Sequence, residues 1–131
     1  MTFDPDKVLA EATLKAAKLL GMEDIELASA IGIDDAHTLH DLRCGIVLVK
    51  NESETGKRCL LLIRAYKALS SLVCGNPAQM QLWLRGHNSA LGAAPMEFIS
   101  TEAGMTRVVS LLEGYLRFEG DIHDNAERRG R

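Results

Sequence analysis

The sequence predicts an all-α fold, an N-terminal helix-turn-helix unit followed by a small helical domain. Three observations lead there. Apolar residues recur at helical spacing along most of the chain. Gly and Asn interrupt that pattern at helix-length intervals. Hydrophobic residues make up 47% of the chain but aromatics only 5%, so the core is built from Leu, Ile, Val, Ala and Met, a mixture that favours helices over strands.

The first helix is expected from Pro5 to Leu20, with Leu9, Ala12, Ala16 and Leu20 in helical register and Gly21 as its stop. A short second helix spans about Glu23 to Ala30, with Ile25, Ala28 and Ile31 inward, and Gly32 breaks it. Asp34 reads as the N-cap of a third helix that runs to Arg43, because its carboxylate can accept from the amides of the next turn. Ile46–Val49 is short, apolar and β-branched, a strand-like crossing segment able to pair with its copy in a dimer. Lys50–Gly56 is polar and reads as a linker.

The second half opens with a long helix from about Lys57 to Cys74. Lys57, Arg64, Lys67 and Ser71 form its narrow polar stripe, and the rest is a wide apolar arc that calls for burial on most sides. Gly75 ends it. Asn76 caps the next helix with Pro77 at its first position, and that helix closes at Arg85 before Gly86. A loop, His87–Ala94, leads to a helical turn at Pro95–Ile99. Ser100 or Thr101 caps a last helix whose Met105, Val108, Val109, Leu112, Tyr115 and Leu116 make an amphipathic face to about Phe118. Beyond Gly120 the sequence has almost no apolar residue and reads as a tail without fixed structure. These signals divide the chain into residues 1–50, the helix-turn-helix region; 51–119, the helical domain; and 120–131, a basic tail.

Composition narrows the function. With 25% charged residues the balance is that of a soluble globular protein. A formal net charge of −3 argues against bulk nucleic acid as the main partner, since phosphate neutralisation needs clustered Lys and Arg. No apolar run reaches membrane-spanning length, and Met1–Asp6 carries two acids and no apolar core of a secretory signal. Cys44, Cys59 and Cys74 are an odd number without a C-x-x-C pair, so reduced thiols in a cytoplasmic protein are expected. His37, His40 and Cys44 share a face of the third helix, but three ligands on one helix rarely complete a tetrahedral shell, and no metal is expected. No Ser–His–acid pattern, P-loop or dinucleotide fingerprint appears, so neither an enzyme nor a cofactor is expected.

Two constellations remain. Ala28-Ser-Ala-Ile-Gly-Ile33 places a small residue in one short helix and Gly in the turn, as closely packed helix-turn-helix units do. It makes His37, Thr38, His40, Arg43 and Lys50 the candidate DNA contacts. Asp34 and Asp35 at the amino end of the third helix would repel phosphate, so DNA binding is expected to be weak or conditional on dimerisation or a partner. The second constellation is Trp83-Leu84, Asn88, Leu91-Gly92 and Pro95, followed by Thr101 and Gly104. Physically these are architectural: a large apolar anchor, a loop-capping amide, a turn glycine and a helix-starting proline.

In that order and spacing, W-L-x-x-x-N-x-x-L-G-x-x-P and then T-x-x-G, the run resembles the toxin-binding domain of the Xre/MbcA/ParS-like antitoxins. The resemblance covers roughly Cys59 to Leu116. It implies an antitoxin of a type II toxin–antitoxin system that occludes the cleft of a cognate toxin, a RES-domain, NAD-consuming protein being the expected kind. It also implies a homodimer that autoregulates its operon by binding operator DNA. The expected toxin contacts are Trp83, Arg85, His87, Asn88, Leu91 and Gly92 on the folded domain, and Arg128, Arg129 and Arg131 in the tail, whose guanidinium groups suit acids at the cleft rim. The alternative is a free-standing helix-turn-helix regulator whose C-terminal half only dimerises.

Overall fold

The computed structural model describes residues 5–45, 49, 50 and 52–129, with side chains described for all of these except Ala36 and 119–129. Among the described residues the elements are α1 (Pro5–Leu19), α2 (Asp24–Ile31), α3 (Ala36–Arg43), α4 (Glu54–Leu72), α5 (Pro77–Arg85), a 3-10 turn (Pro95–Phe98) and α6 (Glu102–Arg129). The fold is all-helical, as the apolar spacing predicts.

Capping chemistry sets most helix starts. Glu26 Oε1 accepts from the Glu23 amide at the start of α2. The cap of α3 is Asp35 rather than Asp34: its carboxylate accepts from both the amide and the hydroxyl of Thr38, at 2.7 and 2.8 Å. Both residues are Asp, and the position of Thr38 decides between them. Ser53 Oγ accepts from the Gly56 amide at 3.0 Å and donates to the Lys50 carbonyl at 2.7 Å. That cap starts α4 at Glu54, so the expected linker gives up its last three residues to the helix. Asn76 Oδ1 accepts from Ala78 and Gln79 at the start of α5, with Pro77 following it.

α4 is the central helix, packed by α1, α2, α5 and α6. Cys59, Leu62, Ala65 and Leu69 of α4 are buried among Leu9 of α1 and Leu20 just after it, Leu27 and Ile31 of α2, Met80 and Leu84 of α5, and Met105, Val108 and Leu112 of α6. A leucine buried as fully as Leu62 contributes about 2 kcal/mol relative to exposure. Much of the wide apolar arc of α4 is therefore covered by elements of its own chain, with Leu60 left 44% exposed.

α4 and α6 run side by side in the same direction. Glu54 stands beside Glu102 at one end, and further along Arg64 binds Glu113, 49 positions on, at 2.6 Å. By this register Leu72, where α4 ends, lies opposite position 121 or so, while α6 continues to Arg129, about two turns further. The expected tail beyond Gly120 is thus helical in its backbone as far as Arg129. No proline interrupts residues 102–129, and Gly114 and Gly120 each cost only about 1 kcal/mol against Ala, which the helix formers Ala126, Glu127, Arg128 and Arg129 help offset.

One further expectation changes, and another falls mostly outside the described residues. Ile25 is not inward but 73% exposed; the inner face of α2 is made by Leu27, Ala30 and Ile31, three and four residues apart. Of the strand-like segment Ile46–Val49, positions 46–48 lie outside the described residues, and Val49 is buried in the core. No described helix is long and apolar enough to cross a membrane.

Candidate functional site

The face that stands out runs along α6. Gly104, Leu111, Tyr115 and Phe118 share one side of that helix by their spacing. The 3-10 turn covers its beginning. There the Phe98 carbonyl comes so close to Gly104 that a β-carbon on this residue would lie 2.1 Å from the oxygen, so only glycine permits the approach. Thr101 Oγ1 accepts from the Gly104 amide at 3.0 Å, and the Arg107 guanidinium sits 5.2 Å from the Phe98 ring centre, a cation–π distance. Past this cover exposure rises step by step: Leu111 is half-buried, Tyr115 is 39% exposed and Phe118 64%. An apolar strip rooted in the core and left open at one end is a surface suited to a protein partner. A second exposed apolar residue of this half is Leu82, 67% exposed, in a shallow hollow of about 580 Å³ with Ala78, Gln81, Arg85 and Gly86.

The residues expected to touch the toxin are placed unequally. Trp83 is half-buried and packs on the core. Asn88 holds its own loop: its side-chain oxygen accepts from Ala90 and Leu91 at 2.9 and 3.2 Å, and its amide donates to the Ala93 carbonyl at 3.1 Å. Leu91 is buried. Gly92 is exposed at φ +85°, a left-handed conformation that a side chain would strain. Of this loop group, His87 and Gly92 are exposed to a partner, while Asn88 and Leu91 serve the loop and the core. Arg85 is held by its own chain: it donates to both Glu26 carboxylate oxygens at 2.9 and 3.0 Å and to the Gly21 carbonyl at 2.8 Å. This hydrogen bond is the main reason the Glu26 carboxyl sits below its ordinary range. Arg128 and Arg129 belong to the last turn of α6, and Arg131 lies outside the described residues.

The residues expected to touch DNA lie on or beside α3 and are mostly engaged with acids. His37 Nε2 is 3.4 Å from Asp41. Thr38 is taken by the Asp35 cap, and hydrogen bonding from Thr38 is what lowers the Asp35 carboxyl. Arg43 pairs with Asp24 at 2.5 Å. His40 lies 3.5 Å from the Cys44 thiol, and Lys50 is exposed. Sequence reasoning missed Leu82 and the open end of the α6 strip. The i, i+4, i+7 spacing of Leu111, Tyr115 and Phe118 carries the signal for the second, but it is masked by the stronger core pattern on the same helix.

Residues 68–115 match the family model described as the antitoxin Xre/MbcA/ParS C-terminal toxin-binding domain. The matched stretch begins in α4, takes in α5, the Asn88 loop and the 3-10 turn, and ends at Tyr115 on α6. This stretch of the chain is similar to that domain. No curated protein matches the chain.

Proposed function

We propose that this chain is the antitoxin of a type II toxin–antitoxin pair, which silences a cognate toxin by covering its substrate cleft. The match of residues 68–115 to a toxin-binding domain carries this reading. The strip from Leu111 through Tyr115 to Phe118 supports it, because it begins inside the matched stretch and offers apolar area that the chain leaves open. The toxin docks along this strip, with His87 and Leu82 on the adjoining surface. Arg128 and Arg129 at the end of α6, and Arg131 after them in sequence, pair with acids at the rim of the toxin's cleft, since guanidinium forks suit carboxylates. A RES-domain, NAD-consuming toxin is the class that the sequence resemblance implies, and the pair acts in the cytoplasm.

The α2–α3 pair with its short turn favours a second reading, a free-standing regulator that dimerises through its C-terminal half. In that case the α6 strip would meet a second copy. Operon autoregulation belongs to both readings, with the antitoxin a homodimer on its operator.

Co-expression with the neighbouring open reading frame and isolation through a tag on this chain separates the two. The antitoxin reading expects the neighbour's product in stoichiometric amount, and loss of it with Phe118→Glu. A tagged chain that is recovered only with itself, and whose mass falls to the monomer with Phe118→Glu, supports the regulator instead.

A further inference from the structure

The surface around α5 differs from the rest of the chain in its lack of charge. From Ala68 to Met96 the sequence holds one Lys, Arg, Asp or Glu, which is Arg85, in a chain that is 25% charged. Arg85 is not a free charge there: its guanidinium is bonded to the Glu26 carboxylate and the Gly21 carbonyl. The other exposed residues beside Leu82 are Pro77, Ala78 and Gln79, with Gly86 at the end of the helix. Depletion of charge around an exposed large apolar side chain is the compositional mark of an interface core. Other exposed apolar residues have a different setting. Ile25 borders a cleft that Asp34, Glu54 and Arg58 line, and Leu60 shares its side of α4 with Lys57, Arg64 and Lys67 by helical spacing.

The α5 face also has a shape that fits its own image. Ala78, Gln81, Leu82 and Arg85 stand at i, i+3, i+4 and i+7 of the helix, the four corners of a hole that receives one side chain of a facing helix. The hole is open for reasons in the sequence. Ala78 and Gly86 have no bulk to fill it, and Gln81 and Arg85 are drawn aside to the Leu19 and Gly21 carbonyls at 3.3 and 2.8 Å. The hollow they leave measures about 580 Å³, and the exposed Leu82 stands at its edge. Knob and hole thus lie side by side on one helix.

We propose that a second copy of this chain docks on α5, with each copy's Leu82 seated in the hollow of the other. Two features select a second copy as the occupant. Across a two-fold axis a patch meets its own image, so free charge of one sign would meet its like; around Leu82 there is none to repel. A two-fold contact also needs knob and hole on the same patch, because each copy supplies both. The contact is apolar, so salt does not weaken it. The inference rests on the homodimer that both readings above share and gives it a surface. The second copy then sits beside the toxin, which keeps the α6 strip.

Sedimentation equilibrium of the full chain at micromolar concentration tests the proposal. The wild type should show twice the chain mass, in low and high salt alike. Two variants should each raise the dimer dissociation constant about tenfold or more: Leu82→Glu, and separately Ala78→Trp, which fills the hollow without adding charge. Helical circular dichroism should be unchanged in both, because both positions are exposed. Phe118→Glu should stay dimeric. A wild-type monomer would remove the homodimer from both readings, and this surface with it. A dimer that persists in both α5 variants, or one that Phe118→Glu dissolves, would overturn the α5 assignment alone. Loss of the neighbouring open reading frame's product from a Leu82→Glu protein that is still dimeric would assign the face to the toxin instead.

Discussion

Arg85 and Glu26 are 59 positions apart in the chain and joined by two hydrogen bonds of 2.9 and 3.0 Å. With the third bond from Arg85 to the Gly21 carbonyl and one from Gln81 to the Leu19 carbonyl at 3.3 Å, they fasten α5 to the α1–α2 corner. The contact joins the N-terminal helices to α5, which lies within the stretch similar to the toxin-binding domain. It positions α5 while leaving the Arg85 side chain 46% exposed, and comparison with Glu26 separates positioning from direct contact.

Arg85→Ala is therefore expected to destabilise the fold by about 1 kcal/mol, the upper range for a partly exposed but bidentate pair. Glu26→Gln should do nearly the same, and the double variant little more than either. Urea denaturation measures all three. Toxin affinity should fall equally in Arg85→Ala and Glu26→Gln; a loss confined to Arg85→Ala would make Arg85 a direct contact.

Gly104→Ala tests the seat of the 3-10 turn. The added carbon meets a backbone carbonyl at 2.1 Å, which cannot rotate away as a side chain can. The expected cost is about 1–3 kcal/mol, as for overpacking in a close-packed interior. Gly114→Ala, where a β-carbon meets nothing within 4 Å, is expected to be neutral or slightly stabilising. The two thermal midpoints should separate clearly.

Acid affects the fold with opposite signs at two places. Glu26 and Glu113 have carboxyls lowered by hydrogen bonds from Arg85 and Arg64. Their contribution is present above the unfolded value near 4.5 and is lost as the pH falls through the lowered folded values. Glu102, raised by Glu54, contributes below its unfolded value, and that contribution is lost as the pH rises through the raised folded one. Glu102→Gln should therefore raise the thermal midpoint at neutral pH, with the difference from wild type closing in acid. Glu26→Gln should lower it at neutral pH, its difference also closing once the wild-type carboxyl is protonated. Thermal melts from pH 3 to pH 7 read both.

DNA binding by the chain alone is expected to be weak. Arg43 is spent on Asp24, Thr38 on Asp35, and Asp34 and Asp35 stand at the amino end of α3, where phosphate would lie. A gel-shift titration at physiological salt should show no nanomolar complex with operator DNA. Tight binding there by the chain alone would contradict this electrostatic reading.

Much of the fold is legible in the sequence because its signals are local. Asn76-Pro77 marks a helix start wherever it falls, and the Thr101–Gly104 pair shows both a cap and a close approach. The errors have equally physical sources. Ile25 looks inward by type, but the burial of α2 is decided by Leu27, Ala30 and Ile31 meeting α4. The end of α6 looks like a tail because its polar residues give no buried face, yet it closes on four good helix formers, Ala126 to Arg129, and no proline stops it. The surface was harder to read than the core. Arg85 looks like a free contact until Glu26 is brought to it from the far side of the chain, and the Tyr115–Phe118 strip shows only once the 3-10 turn is known to stop short of it.

The central claim is that this chain silences a toxin through the α6 strip, and growth rescue tests it most directly. Cells expressing the neighbouring open reading frame as toxin should grow when the wild-type chain is co-expressed. They should fail to grow with Phe118→Glu at equal antitoxin level and unchanged thermal midpoint. Rescue by Phe118→Glu as complete as by wild type would place the contact elsewhere, and failure of the wild-type chain to rescue would contradict the claim itself.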